Sequence, residues 1–128
     1  MPNSNRPDLS DLNVLYVDNH VLAVVKPAGV LSQGDSTGDV SLLDHAREWV
    51  RVQFDKPGNV FLGLIHRLDR PVSGVMVFGR TSKGAGRLSD QFRRRTVTKE
   101  YVAIVRETTP DRGELVHTLQ GKRCELRY

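Results

Sequence analysis

Residues 60–78 read VFLGLIHRLDRPVSGVMVF, and the architecture turns on how this stretch is read. The apolar runs at 60–65 and 74–78 have the length and character of buried strands. Between them lies a polar passage, His66-Arg67-Leu68-Asp69-Arg70-Pro71-Val72-Ser73. One strand therefore delivers a cluster of polar and charged side chains, and a second strand follows at once. Loops held between rigid strands are where catalytic groups are commonly mounted.

On the N-terminal side, the turn Asp55-Lys56-Pro57-Gly58-Asn59 separates this pair from a helix beginning at Ser41. Asp44, three positions on, makes an approximate capping box. Leu42, Leu43, Ala46, Trp49 and Val50 then form one apolar stripe. Residues 32–40, SQGDSTGDV, are a Gly/Ser/Asp loop. Before them, 12–17 and 21–25 are β-prone runs joined by the hairpin connection Asp18-Asn19-His20. Lys26-Pro27-Ala28-Gly29 stops the second run, since proline lacks a donor N–H and glycine permits a turn. Residues 1–11 read as a flexible arm.

On the C-terminal side, Ser82 is placed to cap a helix running to about 95, with Ala85, Leu88 and Phe92 on its inner face. Residues 97–105 read as a strand, where Lys99, Tyr101, Ala103 and Val105 share one side. Thr109-Pro110-Asp111-Arg112-Gly113 turns into a weaker strand at 115–119, and the stretch after Gly121 is again strand-like. This order predicts an α+β fold, a mixed, largely antiparallel sheet with two packed helices, as one domain over 12–128.

The chain has 128 residues, with 19 Lys+Arg against 15 Asp+Glu and a formal charge of +4. Chains of about this size form one domain with a sizeable core. The single cysteine, Cys124, excludes an intramolecular disulfide framework and a Cys-rich zinc module. No apolar run approaches the ~18 residues of a membrane-spanning helix, and MPNSNRPDLSD lacks the apolar centre of a secretory signal. The expectation is a cytoplasmic protein with no membrane partner. Between positions 83 and 99 lie Lys83, Arg87, Arg93, Arg94, Arg95 and Lys99 against the single acid Asp90. Such a cluster favours a phosphate backbone. By charge alone, a solvated helix face fits it better.

Asp69 sits between Arg67 and Arg70, which would favour its ionised form if they are close in space. An ionised carboxylate can act as a nucleophile or a general base. Taken locally, the default reading is an aspartate stabilising its own turn, held by the neighbouring arginines, and a lone His66 reads more readily as structural than as catalytic. The histidines at 20, 45, 66 and 117 have no metal-ligand spacing, so no metal is expected. There is no G-x-x-x-x-G-K-[ST] loop and no G-x-S-x-G elbow, so Ser32, Ser36 and Ser73 have no support as nucleophiles.

Three motifs occur in order: V-K-P-A-G at 25–29, H-R-L-D-R-P-V-S-G at 66–74 and K-E-Y-V-A-I-V at 99–105. Together they resemble the RluA-type pseudouridine synthase family, over roughly residues 12–119. The resemblance implies isomerisation of particular uridines in ribosomal or transfer RNA, with RNA as partner and no metal or organic cofactor. It implies that Asp69 is the catalytic carboxylate. Tyr101 would pack against the target base and assist proton transfer, and Arg67 would fill the stack vacated by an extruded base. His66, Lys26, Arg70, Lys99, Arg93, Arg94 and Arg95 join Arg67 as the expected substrate-binding set, with Lys26-Pro27-Ala28-Gly29 supporting the site's floor. Extruding the uridine costs a few kcal/mol, which phosphate contacts can offset.

The sequence also departs from the family pattern. Val72 stands where threonine is common. Nothing in 106–128 resembles the family's later G-R-T-H-Q-I-R-type motif, whose basic residue pairs with the catalytic aspartate. The expectations are therefore an active short enzyme or a catalytically silent RNA-binding remnant or truncated form.

Overall fold

The hairpin expected at Asp18 forms and starts a four-stranded sheet. β1 (Val14–Val17) pairs antiparallel with β2 (Val21–Lys26). Asp18 Oδ1 closes the turn by accepting from the amides of His20 (2.8 Å) and Val21 (2.7 Å). The His20 amide first, then the Tyr16 hydroxyl and the Val21 amide, hold the Asp18 carboxyl below its ordinary range. This computed structural model describes residues 12–128, so the arm expected over 1–11 lies outside it.

α1 (Leu42–Gln53) begins as the sequence predicts. The Ser41 side chain accepts from the Asp44 amide while Asp44 Oδ2 accepts from the Ser41 amide, a reciprocal capping box. The apolar stripe of α1 buries Leu42, Ala46 and Val50. They join Leu22 and Val24 of β2, Leu62, and Met76 and Phe78 of β4 (Gly74–Gly79) in one core. Leu22 pairs with Phe78 and Val24 with Met76 across the antiparallel β2/β4 ladder, so all four point to the same face.

The strand expected over 60–65 is reduced to β3 (Gly63–Leu64), which pairs antiparallel with β4 at Gly79 and Phe78. The ladder stops there for a physical reason. The next amide of β4, that of Val77, donates to His66 Nε2 (3.1 Å) rather than to a strand partner. The sheet order is β1-β2-β4-β3. α2 (Ser82–Arg93) is capped by Thr81, one residue before the expected Ser82, because the Thr81 hydroxyl accepts from the Gly84 amide (3.0 Å). α2 lies close on the sheet: a Cβ on Gly79 would stand 2.5 Å from the Ala85 Cα. Ala85, Leu88 and Phe92 are half-buried, in keeping with the inner face expected for them.

The chain divides into two units, Met1–Thr98 and Lys99–Tyr128. The strand expected over 97–105 is absent. That stretch finds no pairing edge among the described residues, and β propensity without a partner strand does not make a strand. Tyr101 is 63% exposed, and Val102 and Ile104 are fully so.

The second unit is otherwise a hairpin of β5 (Glu114–Leu119) and β6 (Lys122–Arg127). Gln120 (φ 50) and Gly121 (φ 76) both take left-handed conformations at its turn, which suits the twist of a two-residue hairpin loop. One face carries Leu115, Leu126, Leu119 and Tyr128. The other carries the Glu114–Arg127 (2.9 Å) and Arg123–Glu125 (2.8 Å) ion pairs. The architecture is α+β with two packed helices, and every strand pairing among the described residues is antiparallel.

Candidate active site

The polar passage 66–73 is held against the 26–32 loop by backbone contacts that the sequence alone does not display. Lys26, at the end of β2, is wholly buried. Its ammonium donates to the carbonyls of Val30 (2.6 Å), Arg70 (3.0 Å) and Pro27 (3.1 Å), which uses all three N–H bonds. Burial chiefly, and then the positive charge of Arg70, push its pKa down, while Asp69 pulls the other way. The Arg70 carbonyl also accepts from the Gly29 amide (2.7 Å), and Arg70 Nε donates to the Gly29 carbonyl (3.0 Å). Gly29 makes this seam with φ +88, a conformation that strains any residue with a Cβ.

A second clip lies beside the first. The buried Ser32 hydroxyl donates to the Leu68 carbonyl (2.6 Å) and accepts from the Leu68 amide (3.0 Å). Asp69 thus stands between two anchored neighbours, Leu68 and Arg70. Its own carbonyl accepts from the Val72 amide (2.9 Å), closing a turn through Arg70 and Pro71. The Asp69 side chain itself is exposed.

The outcome is an open groove of about 560 Å³, with Arg67, Asp69 and Arg70 on one side and residues 31–35 on the other. Asp35 is a second carboxylate on its wall. The Thr37 hydroxyl and then the Thr37 amide hold it below the usual carboxylate range. Arg70 pairs with Asp39 (2.7 Å), with both side chains about half exposed, so the pair adds little stability.

The expected site residues therefore separate. Arg67, Asp69 and Arg70 line the groove, but Lys26 and His66 do not. His66 accepts at Nε2 from Val77 and stacks on Phe92 of α2, with ring centroids 4.6 Å apart. An imidazole accepting at Nε2 is neutral with its proton on Nδ1. Both residues were counted in the expected substrate-binding set; the geometry sets them outside the groove, with all three Lys26 N–H bonds and the His66 Nε2 taken up by backbone partners. Arg93 and Arg94 lie at the end of α2 and line a separate hollow of about 550 Å³, with Arg95 just beyond. Lys99 and Tyr101 belong to the second unit and are exposed.

Sequence reasoning passed over Ser32 and Asp35. The Asp35-Ser36-Thr37 spacing carried a signal for the turn at Asp35, but nothing local marked Ser32 as the partner of Leu68. Among the described residues, no three His, Cys, Asp or Glu side chains gather as a metal site, and no helix is long and apolar enough to cross a membrane.

Comparison with known proteins bears on this arrangement. Residues 20–127 match the family model described as RNA pseudouridylate synthase. The chain is 39% identical over 110 residues to tRNA pseudouridine synthase C of Haemophilus ducreyi, covering 86% of this chain and 43% of that protein. It is 34% identical over 98 residues to ribosomal large subunit pseudouridine synthase C of Buchnera aphidicola subsp. Acyrthosiphon pisum, covering 77% and 29%. The fold is similar to that of Human RNA Pseudouridylate Synthase Domain Containing 4, with a TM-score of 0.69 at 24% identity, covering 89% of this chain and 47% of that one. The chain thus spans less than half the length of these relatives. The matched residues include the clipped H-R-L-D loop and the Lys26 seam beneath it, and the chain belongs to the RNA pseudouridylate synthase family, of the RluA type.

Proposed function

We propose that this chain acts as an RNA pseudouridine synthase on specific uridines of structured ribosomal or transfer RNA, in the cytoplasm, with Asp69 as the catalytic carboxylate. One observation carries the reading: the backbone on both sides of Asp69 is anchored through Leu68 and Arg70, while the carboxylate opens into the groove. A catalytic group needs this combination of fixed position and access.

The target uridine leaves its stack before a side chain can reach its glycosidic bond. Arg67, exposed at the groove, is suited to fill the vacated place. The N1–C1′ bond then breaks, either by attack of the Asp69 carboxylate on C1′, which C5 later displaces, or after Asp69 removes the 2′ proton, which it returns to C2′ as C5 bonds to C1′. The detached base turns so that C5 bonds to C1′, and the hydrogen on C5 is lost to solvent. Tyr101 is assigned to packing against the base and to that last proton transfer, and Lys99 and Arg70 to contacts with the RNA backbone. Lys26 and His66 act as positioning residues for the loop.

Tritium release from RNA transcribed with [5-³H]uridine tests this, with the parent chain and Asp69→Asn side by side. Release by the parent and its loss in Asp69→Asn, with RNA affinity within a few-fold, is the expected result. Turnover retained in Asp69→Asn overturns the assignment. A folded parent that binds RNA but releases nothing supports the other reading, an RNA-binding member without turnover.

A further inference from the structure

The end of α2 holds a residue in a conformation its type disfavours. The Thr96 amide donates to the Gln91 carbonyl (3.1 Å) and the Arg95 amide to the Phe92 carbonyl (3.2 Å). These paired bonds are those of a Schellman stop, which requires a left-handed residue just after the C-cap. Arg94 is the C-cap, and Arg95 takes the left-handed position with φ 58. Glycine is the usual occupant because a Cβ is strained there.

The charges of the arginine triplet are also unequal. Arg93 and Arg94 both pair with Asp90, Arg94 at 3.0 Å. Arg95 is exposed and makes no ion pair among the described residues. The arginine held at a conformational cost is therefore the one whose charge stays uncompensated. Strain that local contacts do not offset points to a contact made with something else. Arg87, two turns earlier on α2, also lacks an ion pair among the described residues, and it lines the hollow beside Arg94. Both free guanidinium groups suit a phosphodiester, which accepts a bidentate pair of N–H bonds.

We propose that Arg95 is the principal phosphate contact of the arginine triplet, and that with Arg87 it anchors the RNA backbone at the end of α2. Arg93 and Arg94 are largely spent on Asp90. The inference rests on the RNA reading above and deepens it, by naming which of the basic residues meet the backbone.

Fluorescence anisotropy with a labelled tRNA transcript over a potassium chloride series, paired with thermal melting, tests it on the full chain. Arg95→Ala should weaken binding about fivefold and lower the salt slope by about 1. Arg95→Gly should lose the same affinity while its Tm rises by about 3 °C, since glycine relieves the strained position. Arg95→Lys should keep most of the salt slope, and Arg93→Ala should change affinity by less than about twofold. Undiminished binding in both Arg95→Ala and Arg95→Gly overturns the proposal, as does an Arg93→Ala loss equal to that of Arg95→Ala. An Arg95→Gly chain that melts no higher than the parent overturns the strain argument beneath it. A parent chain with no salt-dependent affinity overturns the RNA reading itself, and this inference falls with it.

Discussion

The loop at 66–73 and the stretch at 99–105 both carry motif residues, yet the two are held in opposite ways. In the loop, Leu68 and Arg70 are fastened by a buried hydroxyl and a buried ammonium, and His66 is seated on β4 and Phe92. The 99–105 stretch makes no strand, and Val102 and Ile104 are fully exposed. A motif names the residues that do chemistry, but buried polar partners give them a fixed place. The contrast also locates stability: the loop belongs to the cooperative core of the first unit, whereas the 99–105 stretch buries little apolar surface of its own.

Removing the ammonium is the harshest challenge to this contrast. Lys26→Met spares the desolvation of a buried charge, but it strands the carbonyls of Pro27, Val30 and Arg70. The second effect should win, because unpaired buried acceptors each carry a full desolvation penalty. We expect a loss of about 3 kcal/mol in urea unfolding. A midpoint equal to that of the parent would mean that the seam does not hold the loop.

Ser32→Ala should follow at about 2 kcal/mol, with faster hydrogen exchange at the Leu68 amide. Unchanged exchange at Leu68 would show that the clip does not order the loop. On the other side of the comparison, Ile104→Ala should change stability by no more than about 0.5 kcal/mol, as for other exposed positions. A loss well beyond that would mean that this stretch is packed in solution and would erase the distinction.

The smallest effect lies at the β1–β2 turn. The folded Asp18 carboxyl titrates below its unfolded value, so its contribution to stability is present above about pH 4 and fades as pH falls through the folded value. Asp18→Asn should flatten the acid limb of stability measured against pH, and an acid limb identical to that of the parent would remove this role.

Much of this organisation was legible in the sequence. The capping box at Ser41 and Asp44, the apolar stripe of α1, the Asp18 hairpin and the polar loop between apolar runs are local patterns, and local patterns follow from backbone sterics and periodicity. The family resemblance rests on three short motifs, and it led to the right family. Longer-range matters escaped. The strand at 60–65 shortened because a histidine side chain took the Val77 amide. The strand expected over 97–105 did not form because propensity supplies no partner edge. Ser32 gave no sign of its reach to Leu68, which is 36 positions away.

By itself, then, the sequence determined the fold class, the order of elements as far as α2 and the choice of candidate carboxylate, since each depends on neighbouring residues or on a contiguous motif. Only the tertiary structure decided that Lys26 and His66 lie outside the groove. Hydrogen-bond partners across the chain are chosen by packing, and a buried donor settles wherever unpaired carbonyls converge.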